Sequence, residues 1–214
     1  MKEKVISDIH IAQNVDVLTT DKCHYLSIQK NGSTRITDYL TLNSSYVEPW
    51  ILTGPLNSSL PYWTTIRDPY NRFISGLSYD LYLNQDSIPN LPKFLDEIDI
   101  FRIFYDKLPI QYKSKTEGRL NHTLLQWTYL FNQKLNFYVD IKDLDLFADF
   151  HFSVTSHKKM NETPLEFKKV LIDYIDSNPK FKNIINNYLS PDYYIINQIH
   201  NSGLIWGWQD GKMF

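Results

Sequence analysis

The sequence predicts an α/β protein: a parallel sheet with crossover helices, followed by a helical C-terminal third. Three observations lead there. Short runs rich in β-branched and aromatic residues occur at His24–Gln29, Tyr62–Ile66 and Asn136–Ile141. Segments with apolar residues at helical spacing separate them, the pattern of strands joined by crossover helices. From Pro164 to Ile199 the helical spacing continues, with breaks expected at Pro179 and Pro191. Apolar residues make up 43% of the 214, enough to bury a substantial core, and the reading is one domain over residues 1–214.

Each element has its own signal. A helix from about Thr34 to Leu42 follows the first strand, with Ile36, Tyr39 and Leu40 at i, i+3 and i+4. Ser44 to Pro61 is rich in Ser, Pro and Asn and reads as loop, with an extended piece around Tyr46 to Leu52. After the second strand, Asp68 suits an N-cap and Pro69 the first helical position. Phe73, Ile74, Leu77 and Leu81 then form a buried stripe. The Pro-interrupted stretch from Ile88 to Leu108 predicts short helices. A longer helix is expected from about Gly118 to Phe131, with Leu120, Leu124, Trp127 and Phe131 at helical spacing. Lys142-Asp143-Leu144 turns from the third strand into another helix.

Composition excludes several classes. A formal charge of −2 gives no basis for binding a nucleic-acid polymer, so any anion site is a local cluster. The one cysteine, Cys23, rules out an internal disulfide and reads as a small hydrophobe beside the first strand. No Cys-x-x-Cys or His-Glu-x-x-His spacing suggests a metal. The start, Met1-Lys2-Glu3-Lys4, is too polar for a signal peptide, and no apolar stretch is long enough for a membrane span. The expectation is a cytoplasmic protein, with a bacterial or viral source.

The chemistry concentrates in two loops, both at the C-terminal ends of strands, where α/β sheets bind ligands. Lys30-Asn31-Gly32-Ser33-Thr34-Arg35 closes the first strand and opens a helix. Gly32 lets the backbone turn and approach a ligand, and free amides at a helix start favour phosphate. Ser33 and Thr34 add hydroxyls and Lys30 an ammonium. The lysine precedes the glycine, against the order of an ATP-binding Walker loop. An ordinary capped turn has the same residues, so this loop alone leaves both readings open. The second segment, Ile66-Arg67-Asp68-Pro69 through Ser75, adds a guanidinium able to grip a phosphate in bidentate fashion. Ser75 follows Arg67 by eight residues, about two helical turns on. A surface Arg67–Asp68 pairing is the alternative there.

Taken together, Lys30-Asn31-Gly32-Ser33-Thr34 resembles the 5′-phosphosulfate loop of sulfotransferases that use 3′-phosphoadenosine 5′-phosphosulfate (PAPS). Arg67-Asp68-Pro69, Arg72-Phe73 and Ser75 resemble their 3′-phosphate motif. Asn121-His122 with Gln126, Phe137–Ile141 with Asp143-Leu144, and Tyr188 with Asp192-Tyr193 resemble the carbohydrate-type branch. The resemblance is dispersed over residues 24–194. It implies a P-loop-like three-layer fold, PAPS as sulfate donor with no metal, and an acceptor carrying a hydroxyl; a glycan or glycolipid is favoured, with a small alcohol or phenol and a peptide tyrosine left open. It assigns Lys30, Asn31, Gly32, Ser33, Thr34, Arg35, Arg67 and Ser75 to the cofactor, with Lys158 of the Lys158-Lys159 pair over it and Arg119 as a supplement.

Such an enzyme needs a base for the acceptor hydroxyl. No histidine lies between Lys30 and Arg67, and Glu48 is the one glutamate there, beside Pro49 and Trp50. Partial burial would raise its pKa toward that of a useful base. His122 competes, forming with Gln126 an i, i+4 polar pair on one expected helix face. Trp50, Trp63, Trp127, Trp206 and Trp208 suit either a sugar cleft or core packing. Two other classes stay open: a P-loop-like small-molecule kinase, and a non-catalytic nucleotide- or glycan-binding protein on the same scaffold.

Overall fold

The computed structural model describes residues 15–45, 47–52, 59–83, 85, 90–97, 121–123, 125–130, 133–152 and 163–207. The chain forms two compact units, each discontinuous in sequence. The first takes Met1–Arg67, Leu125–Met160 and Pro191–Phe214, the second Asp68–Leu124 and Asn161–Ser190. Among the described residues no helix is long and apolar enough to cross a membrane.

The first unit is built on a five-stranded sheet. Its strands are β1 (Val15–Thr19), β2 (His24–Ser27), β3 (Glu48–Leu52), β4 (Tyr62–Ile66) and β5 (Phe137–Asp140), in the order β3-β1-β2-β4-β5. β2, β4 and β5 are parallel, whereas β1 runs antiparallel to both β2 and β3. The sheet is therefore mixed, not parallel throughout. The cause is local: Thr20 accepts from Lys22 and Cys23 backbone N–H groups, both at 3.1 Å, and closes a tight turn between β1 and β2. A connection that short joins strands only in antiparallel fashion. Tyr138 of β5 exchanges backbone bonds with Leu204 (2.9 Å) and Trp206 (2.7 Å), which cover the outer edge of that strand.

Helices α1 (Ser33–Asn43) and α5 (Leu144–Phe152) pack on each other and bury their apolar faces with the sheet in one cluster. It contains Tyr25, Ile36, Leu40, Trp63, Val139, Leu144, Phe147 and Trp206. Trp63 stacks on Phe137 at 5.7 Å between ring centroids, and its Nε1 donates to the Cys23 sulfur at 3.3 Å. Trp63 and Trp206 are thus core residues, and Cys23 is half-buried beside them.

The second unit is helical. α2 (Pro69–Leu83) begins as its sequence predicts: Asp68 Oδ1 accepts the Asn71 N–H at 2.8 Å, with Pro69 in the first turn. Phe73, Ile74, Leu77 and Leu81 are buried along it. α2 packs on α6 (Leu165–Ser177) and on a 3-10 turn at Asn121–Thr123, and α3 (Leu91–Glu97) packs on α6.

Two expected helices differ. The segment read as one helix from Gly118 to Phe131 holds the Asn121–Thr123 turn and a separate α4 (Gln126–Leu130), with Leu125 non-helical before it. Residues 118–120, 124 and 131 lie outside the described set. Pro191 does not break the C-terminal helix: α7 runs from Pro179 to Asn201 through it. The carbonyl of Asn187 loses the N–H that a proline lacks, and the Ser190 hydroxyl donates to it instead at 2.9 Å.

Candidate functional site

The loop after β2 has the geometry of an anion cradle. Lys30 and Gly32 both take left-handed backbone conformations, φ 63° and 81°. The first bond of α1 runs from Ile36 N–H to Gly32 carbonyl at 3.1 Å. The amides of Ser33, Thr34 and Arg35 thus lie in the first turn, which has no helical carbonyl to offer them. Two features favour glycine at position 32. A β-carbon there meets Ile141 Cδ1 at 2.8 Å and Leu144 Cδ2 at 2.9 Å, besides the unfavourable φ. A lysine at positive φ is itself strained and persists only where its surroundings hold it.

A buried polar lattice does the holding. The Asn31 side-chain nitrogen donates to Thr65 carbonyl at 2.8 Å and to Gln126 Oε1 at 2.7 Å, and Thr65 Oγ1 donates to the Asn31 carbonyl at 2.6 Å. Gln126 also clasps the end of β4, accepting from Arg67 N–H at 3.1 Å and donating to Arg67 carbonyl at 2.8 Å. Gln126 is held in turn by Asp192, whose carboxylate accepts the N–H groups of Gln126 (2.9 Å) and Trp127 (2.7 Å) at the start of α4. Asn31, Gln126 and Asp192 are all fully buried. The arrangement fixes the loop to the C-terminal end of the adjacent parallel strand.

Arg67 completes it. The half-buried guanidinium donates from Nη1 to the Lys30 carbonyl at 3.0 Å. That bond orients the plane of the fork.

Not every expected residue has the side-chain role assigned to it. Asn31 is engaged within the protein by backbone as well as side chain: its N–H donates to the Ile28 carbonyl at 3.2 Å and its carbonyl accepts from Thr65, so it serves the loop as a brace. Arg35 turns away along α1: it donates to Tyr39 Oη at 3.0 and 3.1 Å and pairs with Asp145 of α5. Tyr39 lies four residues on, within reach on the same helix face. Ser33 is half-buried and Thr34 exposed. Ser75 sits half-buried on α2 of the second unit. Lys158, Lys159 and Arg119 lie outside the described residues.

Glu48 is at the wrong end of the sheet. It is exposed, not partly buried as expected. It pairs with Thr19, which pairs with His24, so it is level with the start of β2 while Lys30 follows its end. The separation is on the order of 10 Å across two strand spacings and at least as much along the strands. Among the described residues β3 is an edge strand.

His122 and Gln126 do not share a helix face. They belong to different elements and have different partners. His122 Nδ1 pairs with Asp80, whose other oxygen accepts the His122 backbone N–H at 3.2 Å. Asp80 and Gly76, which shape this histidine's surroundings, belong to no motif visible in the sequence. The signal was their i, i+4 spacing on α2, which has no meaning until the partner turn is known.

No family model matches the chain, and no curated protein or solved structure matches it.

Proposed function

We propose that this protein is a PAPS-dependent sulfotransferase on a P-loop-like three-layer fold. One observation carries the reading: a lysine–glycine loop with two left-handed residues at a helix start, tied by Arg67 to the end of the next parallel strand. The Ser33, Thr34 and Arg35 amides and the Lys30 ammonium take the 5′-phosphosulfate. Arg67 takes the 3′-phosphate, and the resemblance adds Ser75 to that role. In-line transfer breaks the bond between sulfur and the bridging phosphate oxygen as the acceptor oxygen attacks. Charge grows on the departing phosphate, where oriented amides and a lysine stabilise it most. His122 is the base. The acceptor is a hydroxyl compound, a carbohydrate by the resemblance.

Calorimetry tests the nucleotide claim. Adenosine 3′,5′-bisphosphate should bind at least roughly tenfold more tightly than AMP or ATP, a difference of about 1.4 kcal/mol. Equal affinities, or no binding, overturn the reading. With transfer from PAPS as readout, Glu48→Gln should keep near-native turnover and His122→Gln should lose it.

A further inference from the structure

The geometry points to Asp80 and Gly76 as positioning residues that hold His122 in one tautomer, with Nε2 as its proton-accepting atom. The role as base rests on the sulfotransferase reading; the tautomer does not.

Gly76, Tyr79 and Asp80 lie at i, i+3 and i+4 along α2 and form a seat for the Asn121–Thr123 turn. A β-carbon at Gly76 would come within 2.7 Å of the His122 carbonyl carbon, so only glycine lets that backbone approach. Tyr79 sets its ring edge-on to the imidazole at 5.1 Å and 87°. The Tyr188 hydroxyl donates to the next carbonyl, that of Thr123, at 3.2 Å. Asp80, with 3% of its surface exposed, receives both the His122 backbone N–H and its ring Nδ1.

A histidine kept only for packing has both nitrogens satisfied inside the core. Here the side chain is 27% exposed, and among the described residues no hydrogen bond reaches Nε2. A carboxylate can only accept, so the hydrogen between Nδ1 and Asp80 is carried by the ring nitrogen. Nε2 is left with its lone pair. In the reaction the acceptor O–H bond breaks, its proton passes to Nε2, and its oxygen forms the new bond to sulfur. The bisphosphate leaves with the electron pair of the broken S–O bond. Asp80 balances the imidazolium until it returns the proton to water.

Asp80→Asn separates orientation from bulk. The backbone N–H of His122 can only donate, so the amide oxygen must face it. The amide nitrogen then faces Nδ1 and donates to it, which forces the ring proton onto Nε2. Nitrogen-15 spectra of the neutral ring, assigned by their loss in His122→Gln, read this directly. The expected result is Nδ1–H in the native protein and Nε2–H in Asp80→Asn, with adenosine 3′,5′-bisphosphate affinity unchanged within about twofold and turnover lost. Native Nε2–H, or one tautomer in both proteins, overturns the proposal. If Asp80→Asn does not fold, the native spectrum alone decides. A correct tautomer without nucleotide binding sinks the sulfotransferase reading and leaves the Asp80–His122 assignment standing.

Discussion

Arg67 and Lys30 are joined through the main chain: the guanidinium of one donates to the carbonyl of the other at 3.0 Å. The two cations are 37 residues apart in sequence, yet one holds the backbone from which the other projects. A lysine at position 67 keeps the charge but not the planar fork. Arg67→Lys should weaken adenosine 3′,5′-bisphosphate binding by about 1.5–3 kcal/mol, the worth of a charged hydrogen bond. Calorimetry measures it, and native affinity in Arg67→Lys contradicts the assignment.

Gly32 and Gly203 both have positive φ, 81° and 72°, but only Gly32 is crowded. No atom lies within 4 Å of a β-carbon at Gly203. Gly203→Ala should therefore cost only the backbone strain, about 1–2 kcal/mol. Gly32→Ala adds the contacts with Ile141 and Leu144 and should lower the urea midpoint further. The pair of midpoints, compared at equal m-values, isolates the steric part.

Asp192 accepts two backbone N–H groups inside the first unit. Asparagine has one oxygen and must turn an amide donor toward one of those N–H groups. Each buried donor left unsatisfied costs about 1–3 kcal/mol. Asp192→Asn should thus destabilise by at least that much and loosen Gln126. Loss of nucleotide affinity beyond the loss of stability would show the loop moving with it.

His24 and His151 make folding sensitive to acid. His24 is buried, stacks on Tyr62 at 4.3 Å and shares a 2.7 Å hydrogen bond between its Nδ1 and Thr19 Oγ1. Burial lowers its pKa below the ordinary 6.5, and burial does the same for His151. Below pH 6.5 the unfolded chain binds these protons before the folded one does. Stability therefore holds above about pH 6.5 and falls as pH drops toward the lowered values. Thermal midpoints between pH 7.5 and 5 should decline, less steeply in His24→Gln than in the native chain. A flat profile or an unchanged slope contradicts this.

The three parallel strands, α1 and the start of α2 were legible because their signals are local: apolar periodicity, the Asp68 cap and a proline at the first helical position. β1 was not. Asp16 interrupts its apolar run, and only pairing with β2 and β3 shows Val17 buried beside an exposed acid. Pro191 misled for the opposite reason, since a neighbouring serine repairs the bond that proline removes. Within the site, Lys30, Gly32 and Arg67 were readable as residue types. The roles of Asn31, Arg35, Glu48 and Asp80 were not, because each depends on a partner far away in sequence.

The buried lattice behind the loop spans long stretches of chain, with Asn31 and Gln126 95 positions apart and Gln126 and Asp192 66 apart. Ribosomal synthesis delivers the loop early and its last brace late. A nascent or shortened chain ending before residue 192 has the motif but not the clasp, and should release a nucleotide that the finished protein retains. On the proposed reading, nucleotide capture waits for the synthesis of residue 192, with such non-local closure also slowing the last folding step.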